Sequence, residues 1–310
     1  MSFTVGIVTY ERPTLLSNTL DSLIEQMEYP EKVVVIDDGV DTAVRDVAAE
    51  YRDRFNERDV DMQYIHRSEG GTMQSARNRV IEEATTEHVA FVDDDTWCHR
   101  RWLATLSESF DSLDITGIGG PAIRVDDDRE PTDDIIRSAD ILNELNEYGE
   151  VVDASGRWIP PEPVEVDVFR GANMVFERSA LLEVGGFDGG YLGPEIFEEW
   201  DVMYKLKQNG HTLLYHPNAR VDHFETDTGG SRARLEQRNE DAYWFALNSI
   251  LFKKQHAEDR FWRAMWRLLY AGTDDNLPTV TGRITRLLLQ GERRHIPWLS
   301  GYFSGLRSDT

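Results

Sequence analysis

The chain has 310 residues, enough for one large or two small domains with a sizeable core. Its 33 basic and 57 acidic residues leave a formal charge of −24, which speaks against a nucleic-acid partner, since phosphate backbones are held by clusters of Lys and Arg. The one cysteine, Cys98, excludes an intrachain disulfide and a cysteine metal cluster.

Thr4 to Tyr10 is a β-branched run that reads as a strand, and Arg12-Pro13-Thr14 opens a helix with Leu15, Leu16, Thr19, Leu20, Leu23 and Met27 on one face. Val33 to Ile36 is wholly apolar, as in a parallel strand covered on both faces, and Asp37-Asp38-Gly39 ends it where a nucleotide fits. A second helix carries Val44, Val47, Ala48, Tyr51 and Phe55 on its inner side, and Met62 to Ile65 reads as a third strand. The alternation predicts right-handed βαβ units.

Gly70 to Asn78 is a glycine turn entering a helix, a ready anion site, and Arg77 lies where a cation faces either solvent or a diphosphate. The next strand, from His88, delivers Asp93, Asp94 and Asp95 at its C-terminal end, the ligand-binding edge of open α/β sheets. Carboxylate oxygens are hard ligands for Mg²⁺ or Mn²⁺, which also take oxygens from a substrate phosphate, so the implied substrate is phosphorylated. A second triplet, Asp126 to Asp128, has no strand before it and reads as a solvated loop.

Thr9-Tyr10-Glu11-Arg12, Ile36 to Gly39, Ala76-Arg77-Asn78 and Phe91 to Asp95, in this order and spacing, resemble the nucleotide-sugar half of family 2 glycosyltransferases with the GT-A fold. The resemblance implies that Thr9, Tyr10, Glu11 and Arg12 with Asp37 and Asp38 line the nucleoside site, and that Arg77 lies near the base or diphosphate. It also implies that Asp93 and Asp95 form the DxD metal motif beside the nucleotide. Asp95 is then the direct ligand and Asp94 the variable middle position. Phe169 to Phe176, Leu182 to Asp188 and Glu198-Glu199-Trp200-Asp201 resemble the acceptor half, extending the likeness over residues 3 to 225. Where the family usually carries Glu-Asp this chain has Glu198-Glu199, so Glu199 falls on the position of the catalytic base. The residues leave open whether Glu198, Glu199 or Asp201 points at the acceptor. His223 matches a histidine that adds a metal or diphosphate contact in some members.

The expected architecture is α/β: a GT-A, Rossmann-like, mainly parallel twisted sheet flanked by helices over residues 1–240, with a nucleotide-sugar half (1–120) and an acceptor half (121–240). A helical extension follows over 241–310. The polar stretch 126–163 reads as an insertion with a helix near Ile135 to Leu145, and Asp241 to Phe252 and Asp259 to Tyr270 read as helices. The resemblance implies an inverting, metal-dependent glycosyltransferase taking a UDP, GDP or dTDP sugar, with Mg²⁺ or Mn²⁺ as cofactor. The alternatives are a sugar nucleotidyltransferase, which usually carries a Gly-rich N-terminal loop absent here, and a non-catalytic nucleotide-sugar-binding module.

Residues 251–310 carry a net charge of +4, against −28 for the first 250. Arg260, Arg263 and Arg267 share a face near Trp262 and Trp266, and Leu287 to Leu289 with Arg283, Arg286, Arg293 and Arg294 repeats the theme. Such a segment either lies in a membrane interface or packs on the domain with its Arg face in water. The first choice implies a lipid-linked acceptor and a peripheral place at the inner face of the cell membrane. No apolar run of about 18 residues is present and the N-terminus leads straight into a strand, so a cytoplasmic protein is expected. Five Lys against 28 Arg, in so acidic a chain, resemble the proteins of extreme halophiles, whose self-repulsion high salt screens.

Overall fold

The computed structural model describes residues 1–308 apart from 41, 138–142, 147–149, 153–156, 194–196, 225–239, 257–259, 272–278, 281–282, 285–286 and 288–294. Its first half alternates strand and helix: β1 (Phe3–Thr9), α1 (Pro13–Ile24), β2 (Lys32–Asp37), α2 (Ala43–Asn56), β3 (Asp61–His66), α3 (Met73–Glu83), β4 (His88–Asp93), β5 (Thr96–Cys98) and α4 (Trp102–Ser112). Six short strands follow, β6 (Gly117–Gly119), β7 (Ala122–Arg124), β8 (Glu144–Leu145), β9 (Val151–Val152), β10 (Val164–Val166) and β11 (Asn173–Glu177). Then come α5 (Arg178–Glu183), α6 (Glu198–Gln208), β12 (Leu213–Tyr215) and β13 (Val221–His223). Among the described residues, helices α7 (Glu240–His256), α8 (Phe261–Trp266) and α9 (Ile296–Arg307) follow.

Eight strands form one sheet in the order β10-β12-β6-β11-β4-β1-β2-β3, with β3, β2, β1 and β4 parallel and β11 inserted antiparallel beside β4. Alternation along β2 explains why it reads as a continuous apolar run. Val33 and Val35 join the core beneath α1, α2 and α4, while Val34 and Ile36 join the opposite core under α3, α5 and α6. Burying each such side chain contributes about 1.5–3 kcal/mol. Gly6 of β1 lets α3 come close, since a Cβ there would lie 2.3 Å from a Val80 methyl.

A three-stranded sheet, β5-β13-β7, stands at the C-terminal edge of β4, and its antiparallel register sets His223 opposite Thr96. This pairing carries residue 223 to the end of the acidic triplet.

Several local expectations change. Around the expected helix at 135–145, Ile136 instead bridges Trp158, Asn143 adopts a left-handed φ of 67° and Glu144–Leu145 pairs with β9; residues 138–142 lie outside the described part. The Asn143 carbonyl accepts from the Asp167 and Val168 amides, a non-local pairing that overrides helix propensity. Met27 is 53 % exposed because α1 ends at Ile24, three residues before it, too early to carry it inward. Helix α8 ends at Trp266 and runs into a π turn, Arg267–Ala271.

The C-terminal helices share a core of Ala246, Ile250, Ala264, Met265, Leu268, Trp298, Leu299 and Tyr302. Gly301 and Gly305 make the α7/α9 crossing close, since a Cβ at Gly301 would lie 1.9 Å from the Tyr243 carbonyl oxygen. Within the expected basic face, Arg283 is buried over the Trp298 ring and Arg267 pairs with buried Glu150 at 3.4 Å. Arg286, Arg293 and Arg294 lie outside the described residues.

Candidate active site

Two loops meet at the ends of β1 and β2. The Asp38 amide donates to the Thr9 carbonyl at 3.1 Å, and Glu11, exposed and left-handed at φ 56°, lies against Gly39, where a Cβ would sit 3.2 Å from the Glu11 nitrogen. Asp37 is wholly buried. Its Oδ1 accepts from the Gly39 amide at 2.8 Å and its Oδ2 from the Tyr64 hydroxyl at 2.6 Å, and burial with this carboxylate pushes the phenol up to about 12. Asp38 takes a bidentate contact from Arg67, which also donates to Ser75 Oγ at 2.7 Å and the Thr72 carbonyl at 3.1 Å. Gly71 leaves room for that guanidinium, because a Cβ there would sit 2.7 Å from it. Sequence reasoning missed Arg67, which no local pattern distinguishes from a loop arginine.

The acidic triplet divides its labour. Asp94 is buried, accepting from the Thr9 hydroxyl at 2.7 Å and from Arg12 at 3.1 Å, and burial and then the charge of Asp95 push its carboxyl up to about 7. Both of its oxygens are thus turned to protein, and Arg12 also donates to Asp95 Oδ2 at 3.0 Å. The structure therefore places Thr9 and Arg12 on the carboxylates, with Tyr10, half-buried, between them in sequence. His223 Nε2 lies 3.0 Å from Asp95 Oδ1 and 3.9 Å from Asp93 Oδ2. Burial alone would raise Asp95, but His223 and Arg12 outweigh it and hold this carboxyl below its ordinary value.

One ligand atom each from Asp93, Asp95 and His223 lies within 4.8 Å of the other two. Two carboxylate oxygens and an imidazole nitrogen converging on one point suit a divalent ion such as Mg²⁺ or Mn²⁺. The residues present therefore fit such an ion.

Arg77 joins the two halves of the site. It is 4 % exposed, donates to Glu198 Oε1 at 2.7 Å and Glu199 Oε1 at 3.2 Å, lies 3.8 Å from Asp93 Oδ1 and covers the Phe187 ring at 5.4 Å. The two glutamates differ in access. Glu198 is buried at 3 %, whereas the Glu199 side chain keeps 21 % of its surface, and burial raises its carboxyl above the ordinary value while Arg77 pulls it back. Gly171 makes space for Glu199, for a Cβ there would lie 1.5 Å from Glu199 Oε1. Asp201, left open as a third candidate, is fully buried with Tyr191, Lys205 and His256 around it.

The sequence profile described as glycosyl transferase family 2 matches residues 4–164, just over half of the chain. The chain belongs to glycosyl transferase family 2. This membership, with the geometry above, makes it a nucleotide-sugar glycosyltransferase rather than a sugar nucleotidyltransferase. It is 27 % identical over 232 residues to the glucosyl-dolichyl phosphate glucuronosyltransferase of Haloferax volcanii, covering 72 % of this chain and 69 % of that one. It is 26 % identical over 222 residues to the pre-mycofactocin glycosyltransferase of Mycobacterium tuberculosis, covering 68 % of this chain but only 43 % of that relative. Among solved structures, a mannosyltransferase of Pyrobaculum calidifontis in complex with GDP-Man and Mn²⁺ superposes with a TM-score of 0.59 at 15 % identity, covering 99 % of this chain and 88 % of that one. GalNAc-T7 with UDP, GalNAc and Mn²⁺ gives 0.58 at 17 %, covering 85 % and 56 %. The fold of this family 2 chain is accordingly GT-A.

Proposed function

We propose that the chain transfers a sugar from a UDP-, GDP- or dTDP-type donor to an acceptor hydroxyl or phosphate with inversion at the anomeric carbon. Glu199 is the base in this reading. The observation that carries it is the Arg77 guanidinium, which touches Asp93 on the donor side and Glu199 on the acceptor side. An acceptor oxygen attacks the anomeric carbon while its proton passes to the Glu199 carboxylate. The bond to the nucleoside diphosphate breaks with the electron pair on the departing phosphate. Asp93, Asp95 and His223 would hold Mg²⁺ or Mn²⁺, which when bound offsets charge on the leaving diphosphate. Glu198 and Arg77 fix the orientation of Glu199 through a buried ion pair, and Asp37 with Asp38, held by Tyr64 and Arg67, shapes the floor of the nucleoside side. Residues 1–240 form the catalytic domain, donor half 1–120 and acceptor half 121–240, with 241–310 its extension.

The acceptor in this reading is lipid-linked, and the protein works peripherally at an anionic inner membrane face. The Haloferax volcanii relative's glucosyl-dolichyl phosphate substrate supports this, as does the face of α8 that points away from the core. Ala264, Met265 and Leu268 pack inward, while Trp262 at 78 % and Trp266 at 59 % exposure stand outward beside exposed Arg260 and Arg263. Indole rings with guanidinium groups suit the headgroup layer. No helix among the described residues is long and apolar enough to cross a membrane. The acidic, Lys-poor composition and the Haloferax relative together support a halophilic origin, and in high salt the indoles rather than the charges carry the attachment.

Screening nucleotide sugars for release of nucleoside diphosphate, with and without Mn²⁺, tests the reaction. Binding without turnover by any donor would leave a nucleotide-sugar-binding module. Sedimentation with anionic liposomes in molar KCl tests the membrane. Protein that stays in the supernatant points to a soluble acceptor, and a Trp262→Ala/Trp266→Ala variant that binds as well as its parent removes the indoles from the attachment.

A further inference from the structure

Helix α6 begins with the glutamates of the site, and its fourth residue, Asp201, is 0 % exposed. Three groups hold that carboxylate. The Tyr191 hydroxyl donates to Oδ1 at 3.0 Å, His256 Nε2 lies 2.5 Å from the same oxygen, and Lys205 Nζ lies 2.6 Å from Oδ2. A carboxylate oxygen accepts, so this contact calls for the His256 proton on Nε2. Burial and the neighbouring Asp201 keep Tyr191 protonated well above the usual range, which makes it a neutral donor here. His256 is the last residue of α7, in the C-terminal extension.

The same helix also grips the loop that leads into α6. The side chain of Asn248, wholly buried, accepts from the Leu192 amide at 3.1 Å and donates to the Leu192 carbonyl at 2.8 Å. Gly193, left-handed at φ 70°, lies flat against Trp244, where a Cβ would come within 2.3 Å of the indole. Tyr191 and Phe197 pack on Leu247, Leu251 and Phe252 of α7. On its other side the Tyr191 carbonyl accepts from Gln74 at 3.2 Å, three residues before Arg77 on α3. Tyr191, Leu192 and Phe197, with the first turn of α6, are therefore held between the donor-side helix and α7.

We infer that His256, with Asn248, is a positioning residue for the transfer reaction: α7 sets where the Glu199 carboxylate stands, so the extension serves turnover and not donor binding. The inference rests on Glu199 being the base. Its physical basis is that a fully buried carboxylate whose donor is removed must relax or draw in water, and α6 moves with it. A base displaced by about 1 Å loses on the order of 10²-fold in rate. The nucleotide contacts, on the other side of Arg77, do not move.

The test uses the full chain and the nucleotide sugar that gives the fastest Mn²⁺-dependent release of nucleoside diphosphate. His256→Ala should lower kcat by about 10²-fold, with donor KM and calorimetric UDP or GDP affinity in Mn²⁺ within about twofold of the parent. His256→Gln, which keeps an N–H donor, should recover at least about tenfold of that loss. Tyr191→Phe removes one hydroxyl at little packing cost and decides the matter if His256→Ala does not fold; it should lower kcat several-fold at unchanged nucleotide affinity. In a Glu199→Gln background the His256→Ala change should cost almost nothing more, because both act through one carboxylate. Folded His256→Ala with kcat within about threefold of the parent, no rescue by Gln, an equal fall in nucleotide affinity, or losses that multiply in the double variant would each overturn the positioning role. Full turnover by Glu199→Gln alone would instead sink the base assignment.

Discussion

Gly171→Ala should silence the enzyme without unfolding it. The new Cβ would stand 1.5 Å from Glu199 Oε1, 2.0 Å from Cδ and 2.4 Å from Oε2. An ordinary carbon–oxygen contact is about 3.4 Å, so the carboxylate must retreat by roughly 2 Å. Retreat breaks the 3.2 Å contact with Arg77 and removes the carboxylate from its place beside the donor. Displacement on that scale costs on the order of 10²-fold or more in kcat. The stability cost should be small, within about 1 kcal/mol, because the obstacle is the end of a flexible, partly exposed side chain. Gly171 does not adopt a left-handed φ, so alanine meets no backbone strain. Steady-state release of nucleoside diphosphate, the thermal midpoint, and calorimetric binding of nucleoside diphosphate with Mn²⁺ read the three quantities separately. The double variant with Glu199→Gln should be no slower than Glu199→Gln alone. A folded Gly171→Ala enzyme with nearly parental kcat would refute the placement of the base, and lost nucleotide binding would show that the glycine serves the donor instead.

Glu198→Gln and Glu199→Gln should have opposite signatures. The first removes the negative charge buried against Arg77 and should lower stability by about 1–3 kcal/mol with a mild effect on rate, while the second should lower turnover by roughly 10²-fold with the midpoint nearly unchanged. If the two are reversed, the base is one residue earlier. Nucleoside diphosphate should bind chelated protein weakly and regain affinity with Mn²⁺ or Mg²⁺, because a diphosphate at Asp93 and Asp95 otherwise meets like charge; equal affinity in both states, or in Asp95→Ala, removes the metal assignment. Because burial raises the Glu199 carboxyl, the fraction of ionised base is lost as pH falls through a value above the ordinary glutamate 4.5, so the acid limb of kcat/KM should lie above it. A limb at or below 4.5 that Glu199→Gln leaves in place argues for another group. The −28 of the first 250 residues should make the thermal midpoint rise between low and molar KCl, as the Debye length falls from about 10 Å to about 3 Å. A flat or falling midpoint counts against a halophilic protein.

Much of the donor half was legible from the chain. Strand and helix periods are local, so the fully apolar Val33 to Ile36 announced a covered parallel strand, and a buried strand ending in Asp93, Asp94 and Asp95 announced a carboxylate edge. The helix expected near Ile135 to Leu145 failed for the complementary reason: the Asn143 carbonyl is claimed by amides some 24 residues away, at Asp167 and Val168, and no local period records that.

The order of elements and the residue types gathered at the sheet edge are therefore written in the chain itself, since both follow from short-range hydrophobic pattern and from strand polarity. The roles within that set waited on tertiary structure. Neighbouring helix positions differ by about 100° around the axis, so only the packing of α6 decides that Glu198 is buried on Arg77 while Glu199 keeps an open side. The pairing of β13 with β5 brings His223 to Asp95 across 128 residues. Asp94 turns to Thr9 and Arg12, and Asp201 disappears beneath His256, because buried carboxylates take whichever donors the assembled fold supplies, and those donors lie far away in the chain.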